Sequence, residues 1–541
     1  MLDLWYKNAV IYSLNVATYM DGNGDGIGDF RGLTQRLDHL AQLGVTCLWL
    51  LPFYPSPRLD HGYDVTDYYN VEPELGTLGD FVEFSHQAQL RGLRLIIDLP
   101  LNHTSEQHPW FQHARLHPDS PYRDYYVWSK NTPERATEGV VFPGFQTCVW
   151  TYDPRARAWY YHRFYPYQPD LNILSPAVRE EIFKIIGFWI ELGVSGFRID
   201  AAPFVVEEVN SGGPIFRHYE FFDELRAFLS WRRGDAVLLA EANVPAEEIL
   251  EYFGDGSRLH MLFAFLLTQY VFLAFARHSA EPIAAGLQLL PKLPPLSQWA
   301  QFLRNHDELD LGRLSDSERE EIYAAFAPDP DMQLYARGIR RRLASIFNND
   351  RRRIELAYSL MFSLPGIPVI YYGDEIGMGE DLSLPERWPV RTCMQWTDEA
   401  NGGFSTAPEQ RLIQPVIMSG DFGTPAVNVT AQQRDPKSLF SWVRRLVDVR
   451  QSCPEIGWGE WSIPAVENPA VFALRFTWDD KSVLVLHNLA KEDCQIAPLI
   501  ADIENAQFTD LFGNRVYSAE VGAGDMIELD GYGYRWFRIT G

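Results

Sequence analysis

Cysteine is scarce in this chain and does not pair off. Cys47, Cys148, Cys393, Cys453 and Cys494 are the only five, spread over 541 positions. An odd, scattered set is neither a disulfide framework nor zinc-ligand spacing, and it fits a reducing cytoplasm. Basic residues are also short. The chain has 47 Lys and Arg against 72 Asp and Glu, a net charge of −25. That deficit argues against a nucleic-acid partner, whose phosphates need clustered cations. No apolar run reaches membrane-spanning length. The opening MLDLWYKNAVIYSLNVATYM lacks the basic-then-apolar pattern of a secretory leader. The expectation is a cytoplasmic protein with no membrane partner, acting on a neutral small molecule. The composition is compatible with a homo-oligomer.

What the chain does have is apolar and aromatic side chains, 46% and 14% of its residues. These are enough for a large core. Eight short apolar runs recur: 9–16, 45–52, 93–100, 196–200, 236–243, 260–265, 299–307 and 367–375. Segments between them, such as RGLTQRLDHLAQLG, carry helical periodicity. Eight strands alternating with helices predict an α/β fold, the (β/α)8 TIM barrel. The predicted barrel takes residues 1–102 and 173–455. Three gaps are too long for simple loops. Residues 103–172 form an insertion domain after strand three, and further insertions fall at about 308–355 and 374–435. All leave the C-terminal ends of strands, where barrel active sites lie. From 456 to 541 the pattern changes to short alternating runs, predicting a C-terminal antiparallel β domain.

Charge sits at the ends of several runs. In GFRIDAAP, Arg198 and Asp200 lie two apart and share one face of a strand. Strand three ends in Asp98, strand five in Glu241, and strand seven in Asn305, His306 and Asp307. One such residue alone is usually a cap or a satisfied buried group. Acids at several strand ends on one rim of a barrel point to catalysis. Two facing carboxylates suit glycosidic-bond chemistry, about 5–5.5 Å apart in a retaining mechanism. Arg198 beside Asp200 is expected to lower its pKa and keep it a nucleophile. Glu241 has no cation near it in sequence, so its pKa is expected to rise, as a general acid requires.

Two other stretches are polar in a patterned way. DGNGDGIGD places Asp21, Asn23, Asp25 and Asp29 at alternate positions, with the Ile27 carbonyl between them. Hard oxygen ligands on a glycine-turned loop suit calcium, although the spacing is not that of an EF-hand. In HGYDVTDY, Tyr63 offers a ring for a sugar face and Asp64 a carboxylate for its hydroxyls. Alone, such a dipeptide is an ordinary turn.

DLPLNH (98–103), GFRID (196–200), the Glu241 strand and NHD (305–307) resemble, in order, the four signature regions of the α-amylase family, glycoside hydrolase family 13. The resemblance runs from about residue 5 to the end. It implies Asp200 as nucleophile, Glu241 as acid/base and Asp307 as a third acid gripping substrate hydroxyls. It further implies that His103, Arg198 and His306 line the site. Tyr63 and Asp64 would hold the transferred glucosyl unit, and Arg391 of VRTCMQW would pair with Asp64 to close the pocket behind it. The metal loop resembles the family's structural calcium site, and no organic cofactor is implied. QPDLN (168–172) resembles one subgroup and adds a second cation site from Asn102, Asp170 and Glu207.

FLRNHDELDL (302–311) and GIRRRLASIFNNDRRRIEL (338–356) are similar to the branch of that family that interconverts maltose and trehalose. The implied activity is retaining α-glucosyl transfer through a covalent glucosyl-enzyme, with isomerisation of maltose and some hydrolysis. The alternative is an exo-acting α-glucosidase or a transglucosylase with another acceptor. A non-catalytic scaffold is disfavoured by the presence of all three acids. FAFLLTQY (263–270), after strand six, departs from the family's histidine- and proline-containing segment and is expected to border the acceptor.

Overall fold

The structure, a computed structural model, describes residues 3–209, 215–497, 507–517, 521–522 and 525–540. Eight parallel strands close into a barrel in chain order. They are β1 (Ile11–Leu14), β2 (Cys47–Leu50), β3 (Arg94–Leu99), β4 (Gly196–Ile199), β5 (Val237–Ala240), β6 (Met261–Phe263), β7 (Gln298–Gln301) and β8 (Ile367–Tyr371). Seven lie within the predicted runs, and β7 begins at Gln298, one residue ahead of its run at 299–307. The runs were legible because nearly every strand residue is buried on whichever side it faces. Alternation inside each run then sorts the side chains. Ile11, Cys47, Trp49, Ile96, Val237 and Leu239 fill the barrel, while Tyr12, Leu48 and Leu50 belong to the outer core.

The strands are shorter than the apolar runs, and the difference matters at the rim. β4 ends at Ile199 and β5 at Ala240, so Asp200 and Glu241 stand one residue past their strands. β7 ends at Gln301, so Asn305, His306 and Asp307 lie on the loop beyond it rather than in the strand. A side chain that must reach a central ligand is better placed on the bend over the barrel mouth than in the packed interior.

The segments after β3, β7 and β8 rise over that mouth. The first carries a helix (Pro109–Leu116) and a three-stranded antiparallel sheet of Trp128–Ser129, Trp150–Asp153 and Ala158–Tyr161. The second carries a helix (Asp316–Phe326) and a small sheet of Leu309–Asp310, Gln333–Leu334 and Gly338–Ile339. The third is mostly short 3-10 turns.

Beyond the helix Leu439–Gln451, the chain forms a six-stranded antiparallel sheet built around Val471–Trp478, Lys481–Asn488 and Tyr534–Thr540. It is fastened to the barrel helix Arg351–Ser363 by buried polar contacts. Trp536 Nε1 donates to Ser359 Oγ at 2.9 Å, and Tyr534 Oη donates to Glu355 Oε2 at 2.9 Å. Trp536 is fully buried. Trp536→Ala should destabilise the protein by about 3–5 kcal/mol, read as a lower urea midpoint. A loss below 1 kcal/mol would mean the sheet is not packed as described.

Candidate active site

Arg198 is the centre of the rim. Its guanidinium is 1% exposed and lies 5.2 Å above the Trp49 ring. Nη1 donates to both oxygens of Asp98 at 3.0 Å and to Asp200 Oδ1 at 2.5 Å. Nη2 donates to Glu241 Oε2. Strand register makes this contact set: Asp98 on β3 and Leu239 on β5 flank Arg198 on β4. The expectation that Glu241 stands free of any cation is therefore corrected. The two strands are neighbours in the barrel, and the fork of one arginine spans both.

The electrostatics differ from the sequence expectation for Asp200 as well. Burial raises its carboxyl well above the ordinary value; Arg198 opposes this, and Glu241, Asp98 and Asp307 add to it. Burial raises Glu241 too, again against Arg198. One cation among three carboxylates cannot keep all of them ionised, so Asp200 and Glu241 titrate as a pair. After Asp200 the chain turns through Ala201 at φ +47°. A non-glycine residue in the left-handed region is strained, and such strain collects at functional sites.

Asp307 is the opposite case. Burial raises it, yet His306, Arg387 and Arg391 together hold it well below the usual range. Arg387 Nη1 and Arg391 Nη2 donate to Asp307 Oδ1 at 2.8 and 2.7 Å. His306 Nε2 lies 3.0 Å from Asp307 Oδ2 and 2.8 Å from Tyr63 Oη. Tyr63 in turn donates to Asp98 Oδ2 at 3.0 Å, and its ring stacks on His306. His103 is buried at the cavity wall, and burial pushes it down to about 4, so it is a neutral hydrogen-bonder.

The closing pair is not the expected one. Asp64 is fully buried and accepts from Ser56 Oγ, Leu59 N and Asp60 N at 2.8, 3.0 and 3.2 Å. It holds its own turn together. Arg391 instead donates to His306 O at 2.6 Å and to Asp307. The acid that faces an arginine across the pocket is Asp60, 2.9 Å from Arg387 Nη2. Asp60, Arg387 and Asp307 thus form one chain of charge along the cavity wall. Sequence reading passed over Asp60 and Arg387. Each lies four residues before the residue chosen, just ahead of the motif that was read.

These groups bound a cavity of about 570 Å3, lined by Asp200, Glu241 and Asp307 with Phe142, Phe164 and Phe265 among the apolar walls. Its size and mixed lining suit a disaccharide. Phe265 comes from the segment expected to border the acceptor.

The two cation loops lie outside this cavity. Asp21 accepts from Asn23 N, Gly24 N and Gly26 N at 3.0, 2.6 and 2.8 Å, and from Ser405 Oγ at 2.5 Å. Asn23 Oδ1 and Asp25 Oδ1 accept from Asp25 N and Ile27 N. Asp29 caps the next helix through Gly32 N. Among the described residues no three His, Cys, Asp or Glu side chains converge as a metal cluster. The donor set is nonetheless all hard oxygen, and burial with the Asp21 and Asp25 charges raises Asp29, a repulsion that a cation would relieve. At the second loop, the Arg163 guanidinium pairs with Glu207, and Arg163 N donates to Asp170 Oδ1 at 2.9 Å. Burial pushes Asp170 up to about 7, against the Arg163 charge and backbone N–H and the Asn102 amide. The charge expected of a second metal is supplied here by Arg163.

A family profile described as "Alpha amylase, catalytic domain" matches residues 13–324 and 340–459. "Trehalose synthase/amylase TreS" of Mycobacterium tuberculosis is 43% identical over 545 residues, covering 99% of this chain and 90% of that protein. "Trehalose synthase" of Pimelobacter sp. is 40% identical over 550 residues, covering 99% and 96%. Among solved structures, an α-amylase from H. orenii superposes with TM-score 0.80 at 27% identity, covering 99% of this chain and 100% of that one. The trehalulose synthase MutB of Pseudomonas mesoacidophila gives 0.79 at 25%, covering 99% of each.

A pH profile follows from the paired carboxyls. With one of the pair as nucleophile and the other as acid, as the family resemblance implies, the first must lose a proton and the second keep one, so kcat/KM should rise through the lower apparent pKa of the pair and fall through the upper. Because Asp200 and Glu241 are both raised, the acid limb should lie above the ordinary aspartate value of about 3.9. An acid limb at or below that value would contradict the site described.

Proposed function

This chain belongs to the α-amylase family, and we infer that it isomerises maltose to trehalose by retaining α-glucosyl transfer, with hydrolysis as a side reaction. The observation that carries this reading is the charged wall of the pocket. The Asp60–Arg387–Asp307 chain of contacts ties the cavity wall beside Asp307 together, and on this reading it closes the pocket behind a single glucosyl unit. A carboxylate–guanidinium fork is rigid and presents fixed hydrogen-bonding groups to sugar hydroxyls. The near full-length similarity to proteins named trehalose synthase supports the same conclusion.

The steps use residues already placed. Asp200 attacks the anomeric carbon of the non-reducing glucosyl while Glu241 gives its proton to the leaving oxygen. The glycosidic C–O bond breaks, a glucosyl–Asp200 ester forms, and glucose is left in the cavity. Asp307 stays ionised and grips ring hydroxyls, since His306, Arg387 and Arg391 stabilise its charge. Glucose then turns so that its anomeric hydroxyl faces the ester. Glu241 takes that proton, the new C–O bond forms and Asp200 is freed. Two inversions give net retention. Water in place of glucose gives hydrolysis.

Maltose incubated with isotopically labelled free glucose tests this by NMR. Trehalose should form with little label, because the acceptor never leaves. Glucose as the main product would make the protein an exo-acting α-glucosidase, and heavily labelled disaccharide would make it an intermolecular transglucosylase. Asp200→Ala and Glu241→Gln should each lower turnover by about three orders of magnitude or more with the fold intact. Near-normal turnover in either would end the assignment.

We further propose that the Asp21–Asp29 loop holds a structural calcium through Asp21, Asn23, Asp25, Asp29 and the Ile27 carbonyl. The donor chemistry supports it, as does the loop's place under the third insertion. Asp21 N donates to Phe404 O at 3.0 Å, and Ile413 N donates to Gly26 O at 3.0 Å. A cation there would brace the segment that carries Arg387 and Arg391. Chelation should lower Tm and calcium restore it, by about 2.7 kcal/mol at a hundredfold excess over Kd. Trehalose should remain the product. An unchanged Tm would remove calcium from the description.

A further inference from the structure

The three insertions meet at one carboxylate. Glu386 Oε2, from the third, accepts from Tyr165 Oη of the first at 2.7 Å and from Tyr335 Oη of the second at 2.9 Å. The two tyrosines are buried. Their rings flank Phe142, with centroids 5.1 and 4.9 Å away, and Phe142 lines the catalytic cavity. The arginine after Glu386 continues this contact into the site. Arg387 lies 5.1 Å over the Phe142 ring and holds Asp307 and Asp60.

The backbone here is held in unfavourable conformations. Glu386, Tyr335 and Ala336 have φ of +41°, +55° and +56°. Non-glycine residues persist in that region only where their surroundings over-determine them. Here the constraint is the three-way contact itself. Other ties run alongside: Arg337 Nη1 donates to Val141 O at 2.8 Å, and Arg340 Nη1 donates to Leu384 O at 2.8 Å. A small cavity of about 20 Å3 adjoins the junction, with Tyr165, Glu386, Arg387, Asp60, His61 and Arg391 among its lining residues. That is room for about one water.

From this geometry we propose that Glu386, Tyr165 and Tyr335 form a latch that pins the three insertions over the pocket and keeps water from the glucosyl-enzyme. They are positioning residues: none is needed to make or break a bond. The latch acts through Arg387 and the Phe142 wall on how long the ester survives before glucose turns. The inference rests on the transfer reading above, since a latch of this kind matters only where an intermediate must be shielded.

The test is product partition. Tyr165→Phe with Tyr335→Phe removes both donors while keeping the rings that pack on Phe142. Glu386→Gln keeps the shape and removes the charge. Each variant is given maltose, and the ratio of glucose released to trehalose formed is measured. The double variant should raise that ratio about threefold or more, with KM for maltose within about twofold of wild type. A merely structural role would lower total turnover or Tm and leave the ratio alone. A ratio equal to that of wild type, in variants that fold and turn over, overturns the latch. If wild type makes no trehalose, the isomerase reading fails by itself. The latch is then judged on hydrolysis against glucosyl transfer to added glucose, where an unchanged ratio again rejects it.

Discussion

A single buried guanidinium organises this protein. Arg198 is removed from water, which costs several kcal/mol before any attraction is counted. It is tolerated because three carboxylates from three adjacent strands close around it. Each condition constrains the fold: β3, β4 and β5 must be neighbours in the observed register, Trp49 must lie beneath the cation, and Tyr63 must reach Asp98. Removing any one acid leaves the arginine under-paired. Removing the arginine leaves mutually repelling acids in a low-dielectric pocket. The catalytic groups are therefore structural groups as well, and their protonation is set by sharing rather than by any private partner.

The barrel was legible in the sequence because burial on both faces writes each strand as an unbroken apolar run. The rim acids were legible because they interrupt those runs at their ends. Partnerships across the chain were not. Arg198 and Glu241 are 43 positions apart, and only the adjacency of two strands brings them together. Asp60 and Asp64 sit in one short turn, as do Arg387 and Arg391 in another. Nothing in residue type says which acid meets which arginine. The deciding fact is local: Asp64 is consumed by its own turn, through Ser56 Oγ and two backbone N–H groups, which leaves Asp60 to face the pocket. The same limit applies to Arg163, whose side chain takes up the charge of Glu207 where the motif resembled a cation site.

The insertions show how a common barrel acquires a particular outcome. The chemistry proposed for Asp200 and Glu241 needs only the rim. On that reading the acceptor is chosen by what stands above it. The first insertion brings Phe142 and Tyr165, the second Tyr335 and Arg337, and the third Glu386 and Arg387. None of these is meaningful alone, and they come from loops some 50 to 250 residues apart in the chain.

The size of the cavity carries its own arithmetic. One glucose confined to the 570 Å3 beside the intermediate is present at an effective concentration of about 3 M. Bulk water stands at about 55 M, so on numbers alone an open pocket would favour the smaller nucleophile by more than an order of magnitude. Confinement by itself therefore does not make an isomerase. The advantage must come from orientation, which puts one hydroxyl of the captive sugar in line with the ester, and from the thinning of water to a few molecules. The same confinement makes the acceptor concentration independent of the glucose outside, so the ratio of the two products should be a property of the walls rather than of the solution.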